Sequence, residues 1–282
     1  MAISAPARSK WSPVQRYLEL LQILVERNLK GRYRGSFLGV YWSLLNPLIM
    51  TLIYTAIFGT AFKSYFGGST VNYMLAAFTG LIVINFFTAS TNQALASVVQ
   101  SGGLMNKIRL PISVFPLSMI VSNIFQFVVG PLPLLALVTF FNTHDPDTAY
   151  WAPNNLLHAS VNILALFIPL LALSLVCTGV GYLVSALYVF FRDLPYFYEL
   201  VCFVLWIGSP IFYPVEIVPP QVKQFLLLNP LFPIIESIRQ LSLMNEMPDL
   251  GLIVHALANG VVLSLVGWGC FRAWQNQFMD LL

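Results

Sequence analysis

Residues Arg27–Phe62 read RNLKGRYRGSFLGVYWSLLNPLIMTLIYTAIFGTAF. Four cations, Arg27, Lys30, Arg32 and Arg34, come first, then the pair Tyr41-Trp42, then a run from Leu44 to Phe62 with no charge. A helix of about 20 apolar residues crosses the roughly 30 Å of bilayer hydrocarbon, so this run predicts a membrane span. Cations on one side and aromatic rings at headgroup depth are the marks of a membrane interface. Gly31, Gly35 and Gly39 let the chain turn from that interface into the bilayer, and Pro47 begins or kinks the span. The fold is that of a polytopic membrane protein.

Four more runs have spanning length: Tyr73–Leu95, Val114–Phe141, Val161–Phe190 and Gly251–Phe271. A sixth, Tyr196–Phe212, is shorter, ends in Ser209-Pro210 and carries Glu199 near its start. The third and fourth exceed the minimum, which predicts tilt or extension beyond the membrane. The composition agrees: 58% hydrophobic and 9% charged residues, against about 25% charged in soluble domains. The expected fold is all-α, with a cytoplasmic segment over residues 1–36 and a six-span membrane domain over 37–282. A net charge of +3 is too slight for nucleic acid, and its clustering points to anionic lipid.

Half of the 14 Lys and Arg residues precede the first span: Arg8, Lys10, Arg16, Arg27, Lys30, Arg32 and Arg34. With six spans, Lys107, Arg109, Arg192 and Arg272 fall on the same side, and Lys63, Lys223 and Arg239 on the other. The positive-inside rule then puts both termini in the cytoplasm. The segment Phe225–Met244, FLLLNPLFPIIESIRQLSLM, is nearly long enough to span and would reverse the C-terminus. Its prolines Pro230 and Pro233 and its charges Glu236 and Arg239 instead predict an outward-facing re-entrant helical pair over about 213–247. We read it as an external gate.

Ser12-Pro13-Val14-Gln15 starts a helix: serine cap, proline at the first helical position, glutamine where a capping box needs it. Val14, Tyr17, Leu18, Leu21, Leu24 and Val25 then share one face, while Gln15, Arg16, Glu19, Gln22, Glu26, Arg27 and Lys30 share the other. Such a helix either lies along the cytoplasmic membrane surface or packs on a partner protein. The polar, basic first forty residues are not read as a cleavable signal peptide.

The stretch Arg27–Leu48, six spans and a re-entrant element before the last together resemble the type-2 ABC exporter permeases of polysaccharide export systems, which export O-antigen, capsular polysaccharide or teichoic acid. The resemblance covers essentially the whole chain. It implies a bacterial cytoplasmic-membrane location, a homodimer of this chain, and two copies of a separate ATPase subunit that holds ATP and Mg. No cofactor is expected in this chain. None of its lysines (Lys10, Lys30, Lys63, Lys107, Lys223) follows a glycine in a phosphate-binding loop. The implied substrate is a polysaccharide on a membrane lipid, commonly a polyprenyl diphosphate.

The resemblance also assigns residues. The loop Ser101–Pro116, SGGLMNKIRLPISVFP, looks like the coupling helix that docks on the ATPase, which gives Asn106, Lys107, Ile108, Arg109 and Leu110 that role. Arg192 and Asp193, in the link between the fourth and fifth spans, are expected beside it. An ordinary basic inside loop would have the same composition. Arg27, Lys30, Arg32 and Arg34 are either a gate for the lipid diphosphate or topological anchors. Tyr41, Trp42, Phe203 and Trp206 are either channel surfaces for sugar rings or belt and packing aromatics.

Little else carries chemistry. His144, His158 and His255 are scattered, Asp145-Pro146-Asp147 reads as an outward turn, and Cys177, Cys202 and Cys270 read as packing residues without metal spacing. The second span is polar toward its cytoplasmic end, at Asn85, Thr88, Ser90, Thr91, Asn92, Gln93 and Ser97. Those residues serve either helix packing or a wet path. Outside transport of a lipid-linked glycan, two functions fit the composition. One is a membrane enzyme that modifies glycans; the other is an exporter of this fold for small lipids or drugs.

Overall fold

The computed structural model describes residues 12–105, 110–142, 153–244 and 246–278. Among them every regular element is helical. The chain opens with α1 (Pro13–Tyr33), whose Ser12 hydroxyl accepts from the Gln15 N–H while the Gln15 side chain accepts from the Ser12 N–H. The predicted capping box is present. Gly35 and Gly39, at φ +79° and +51°, turn the chain out of α1, a region of backbone space where other residues are strained. Then α2 (Trp42–Phe62) begins, with Pro47 inside its first turns.

The remaining helices are α3 (Thr70–Gln100), the short α4 (Gly102–Met105), α5 (Val114–Val129), α6 (Pro131–Asn142), α7 (Pro153–Ala165), α8 (Phe167–Phe190), α9 (Leu194–Gly208), α10 (Pro220–Leu228), α11 (Phe232–Arg239) and α12 (Leu250–Trp274). Among the described residues four stretches are long and apolar enough to cross a membrane: Gly39–Tyr65, Thr70–Gln100, Leu156–Phe190 and Leu250–Gln277.

The third expected run is not straight. Helices α5 and α6 meet at an angle of 41° and make a fifth crossing only if the bent pair counts as one. The cause lies in Gly130-Pro131-Leu132-Pro133. Two prolines four residues beyond Phe127 and Val129 have no N–H for those carbonyls. With 15 residues, α9 is shorter than the ~20 that a perpendicular crossing needs. Ser209-Pro210 stops it, and the Tyr213 hydroxyl folds back onto the Ile207 carbonyl at 3.0 Å.

Helix α3 is the axis of the bundle. It packs against α2, α5, α8 and α11 and is buried from Ala76 through Ile84 without interruption. Against it lies the tight pair α8–α12. A Cβ on Gly267 would sit 1.9 Å from the Gly179 carbonyl oxygen, and one on Gly179 would sit 2.3 Å from the Leu263 carbonyl. Only hydrogen fits at either position. This is the small-residue packing that holds helices together where hydrocarbon offers no hydrophobic drive. The Ser264 hydroxyl adds a bond across the seam to the Leu175 carbonyl at 2.7 Å.

The segment Phe225–Met244 forms two short helices broken at Asn229–Leu231, as its prolines predict. Ile234, Ile235 and Ile238 of α11 are fully buried in the central core beside Leu81, Leu173 and Ala256. A π-helical turn, Gln240–Met244, follows, with Leu241 and Ser242 buried and Met244 exposed.

Candidate functional site

Residues Tyr17, Leu20, Leu21 and Leu24 of α1 pack with Val98, Val114, Phe115 and Phe271. One turn beyond Leu24, the Asn28 side chain donates to the Ser118 hydroxyl at 3.1 Å. Four residues further, Arg32 falls on that same inward face. Val14, Leu18 and Ile23 remain exposed. The apolar face of α1 is therefore divided: one edge seals onto α5, and the other is open.

Arg32 ends in a cage of amides. Its Nη1 donates to Asn123 Oδ1 at 3.1 Å and to Gln126 Oε1, and its Nη2 donates to Gln93 Oε1. The cage is itself bonded, with Asn123 Nδ2 donating to Gln93 Oε1 at 2.8 Å and Gln126 Nε2 to the Tyr33 hydroxyl. Asn123 and Gln126 are 3% and 6% exposed. Burial pulls the guanidinium below the ordinary arginine pKa and pushes the Tyr33 phenol up, yet an arginine stays cationic at any physiological pH. Among the described residues no carboxylate is bonded to it.

Beside this cage opens a cavity of about 570 Å³ between α1, α2, α3 and α5. From α3 it takes Asn85, Thr88, Ala89, Asn92 and Gln93, a stripe at helical spacing. Ser36, Trp42, Ser43 and Asn46 complete its polar rim. Among the described residues Arg32 is the one charged member of its lining. The polar residues of the second span thus divide by face. Ser90, Thr91 and Ser97 are fully buried on the far side. There the Thr91 and Ser97 hydroxyls return to their own helix's carbonyls at 2.8 and 2.6 Å.

The other cations of the cluster go elsewhere. Arg27, Lys30 and Arg34 border a shallow groove of about 460 Å³ with Ile23, Glu26 and Gly31. Lys30 pairs with Glu26 at 2.5 Å, both exposed, and this holds the Glu26 carboxyl below its usual pKa.

The remaining predicted residues fall in separate places. Asn106, Lys107, Ile108 and Arg109 lie outside the described residues, while Leu110 packs at the edge of the α1 cluster. Arg192 and Asp193 are exposed at the α8–α9 turn. Tyr41 is exposed, and Trp42 lines the cavity. Trp206 meets Phe203, Tyr54 and Phe212, with ring centroids 6.3, 6.2 and 4.9 Å away. Phe203 itself is half exposed. Pro233 is buried, Pro230 and Glu236 are half-buried, and Arg239 is 4% exposed. Arg239 donates from Nη2 to the Ala76 carbonyl at 3.0 Å and to the Ile211 carbonyl at 3.2 Å. It ties α11 to α3 and to the link after α9.

Asn123 and Gln126 were not evident beforehand as site residues. The signal was present: two amides three residues apart inside an otherwise apolar run sit on one helix face, and such groups need partners in a bilayer. Among the described residues no group of three or more His, Cys, Asp or Glu is placed to hold a metal ion.

The sequence matches the family model described as "ABC-2 type transporter" over residues 19–243, and the chain belongs to that family. It is similar to an O-antigen export system permease protein RfbA of Klebsiella pneumoniae. The two are 28% identical over 267 residues, which cover 94% of this chain and 95% of that protein. A protein of the same name from Myxococcus xanthus is 28% identical over 268 residues, with the same shares of each chain.

Proposed function

We propose that this chain is the membrane permease of an ATP-driven exporter that moves lipid-linked polysaccharide, O-antigen in particular, out of the bacterial cytoplasm. The observation that carries the reading is a polar, arginine-headed cavity inside an apolar bundle. That bundle belongs to a chain matching O-antigen permeases along nearly their whole length. A lipid diphosphate headgroup needs a cation it can reach from the membrane surface, and sugars need neutral hydrogen-bonding walls with an aromatic face. Arg32, the α3 amides and Trp42 supply these. Arg27, Lys30 and Arg34 then attract the headgroup electrostatically, each cation worth ~1 kcal/mol at an anionic surface.

In this reading six segments cross the membrane: the four long helices, the bent pair α5–α6, and α9 as a short span. Helices α10 and α11 dip in from outside and return, with Pro230, Pro233, Glu236 and Arg239 at the external gate. The buried isoleucines of α11 support that placement. Both termini face the cytoplasm. There Asn106–Leu110, with Arg192 and Asp193, contacts the ATPase, which carries ATP and Mg. Two permease copies and two ATPases assemble, and Tyr41, Phe203 and Trp206 face the glycan path between the copies.

Deleting the gene tests the assignment. The cells should lose surface O-antigen and accumulate its lipid-linked form inside; normal surface glycan would overturn it. Topology has its own test. A cysteine at Pro220 should react with an impermeant reagent from outside and one at Asn106 only from inside, and the reverse labelling would overturn the orientation.

A further inference from the structure

The polar cavity shares a wall with a second one of opposite character. This neighbour, about 480 Å³, is lined by Phe86, Phe127, Val128, Leu132, Leu173 and Ser174 among others, none of them charged. Its one hydroxyl, on Ser174, is spent on the Leu170 carbonyl at 2.8 Å. Phe86 and Phe127 line both cavities. Their rings meet edge to face, with centroids 5.3 Å apart and planes at 79°, so the partition is one aromatic layer thick. The bend between α5 and α6 sets the rims: Pro131 borders the polar side and Leu132 the apolar side. Along α3, Gln93 of the arginine cage and Phe86 of the partition are two turns apart, roughly 10 Å.

The combined profile is that of a single amphiphile. On one side stands a half-buried cation whose partners among the described residues are neutral amides; on the other, a compartment of hydrocarbon and aromatic surface about the size of a small-molecule site. We propose that the two cavities form one bipartite site. The phosphate head of the carrier lipid sits by Arg32. The first segment of its hydrocarbon chain lies across Phe86 and Phe127 in the apolar compartment. This rests on the headgroup reading above and adds to it a chain-binding compartment. A groove for bulk bilayer chains requires only an apolar wall; this one shares its Phe86–Phe127 wall with the cavity that holds Arg32, and that cation complements an anionic head on the same molecule.

The test uses the purified full-length permease in nanodiscs of zwitterionic lipid, with farnesyl diphosphate and inorganic diphosphate as probes. The wild type should bind farnesyl diphosphate at least tenfold more tightly than inorganic diphosphate. Val128→Trp and Ser174→Phe fill the apolar compartment, and each should weaken farnesyl diphosphate at least fivefold while leaving inorganic diphosphate unchanged. Leu171→Trp, in the same lining and 56% exposed, serves if either variant fails to fold. Arg32→Gln should weaken both probes. Filled variants that bind farnesyl diphosphate like the wild type overturn the chain compartment and leave the headgroup reading standing. An Arg32→Gln protein that binds both probes normally overturns the headgroup reading, and the bipartite site with it. Equal displacement of farnesyl diphosphate by phosphatidylglycerol would assign the site to bilayer phospholipid instead.

Discussion

Arg32 and Arg34 are two residues apart and live in different physical worlds. Arg32 shares a helical face with Leu24 and Asn28, turns into the bundle and is held by three amide oxygens. Arg34, with Arg27 and Lys30, follows the opposite face and lines an open groove. Charge counting treats these four cations as one cluster. Helical phase separates them into a fixed, desolvated cation with defined partners and a diffuse basic patch in contact with solvent. Geometry governs what the first can recognise; ionic strength governs what the second can attract.

The largest expected effect follows from removing the fixed cation. Arg32→Ala leaves the oxygens of Asn123 and Gln126 without their donor and that of Gln93 with the Asn123 amide alone, and each hydrogen bond to a charged group is worth about 1.5–3 kcal/mol. Thermal unfolding should shift down by several degrees and export should be lost. Arg32→Lys keeps the charge but has one ammonium where the guanidinium has a planar fork, so export should still fall at least tenfold. Normal export by Arg32→Lys would erase the contrast between the two regions.

A smaller effect is expected from the cage itself. Gln93→Leu with Asn123→Leu strips two acceptors from a half-buried cation. Export should drop severalfold and the α1 backbone near Arg32 should exchange hydrogen faster, whereas unchanged exchange would mean that α1 is held by its apolar contacts alone. In the groove, Arg27→Lys with Arg34→Lys should leave export intact, because a patch that acts by charge tolerates lysine. Loss of export there would show that the groove, too, recognises geometry.

The smallest effect concerns the Lys30–Glu26 pair. The Glu26 carboxyl has its pKa lowered by Lys30, so whatever the pair contributes is present above the ordinary carboxylate range and disappears as pH falls through the lowered value. Both side chains are exposed, and such pairs are weak. Glu26→Gln should leave the unfolding midpoint unchanged between pH 5 and 8, and a measurable shift would mean that the pair is shielded from solvent.

Much of this was legible in residue order. Long runs without Asp, Glu, Lys or Arg in α2, α3 and α12, the capping box at Ser12 and the proline break inside Phe225–Met244 are local signals, and each stands where its residues put it. The bend at Gly130-Pro131 was equally local, but the length of the run around it masked the break. The cavity was illegible for another reason. Its cage is made where α1, α3 and α5 meet, with Arg32 standing 61 to 94 positions from its partners in the chain. The stripe on α3 announced that one wall was polar; nothing in the sequence paired it with Asn123 and Gln126.

The seam at Gly179 and Gly267 has a mechanical consequence. Two backbones in direct contact have no layer of side chains on which to slide. A slip of one turn would drive Leu263 or Phe271 into the carbonyl that Gly267 now clears, so α8 and α12 keep a single register through any cycle. They are a post. On the other side of the bundle α1 and α2 are held by side-chain contacts, apolar and polar, instead of by touching backbone, so that side has the freedom of register that the post lacks.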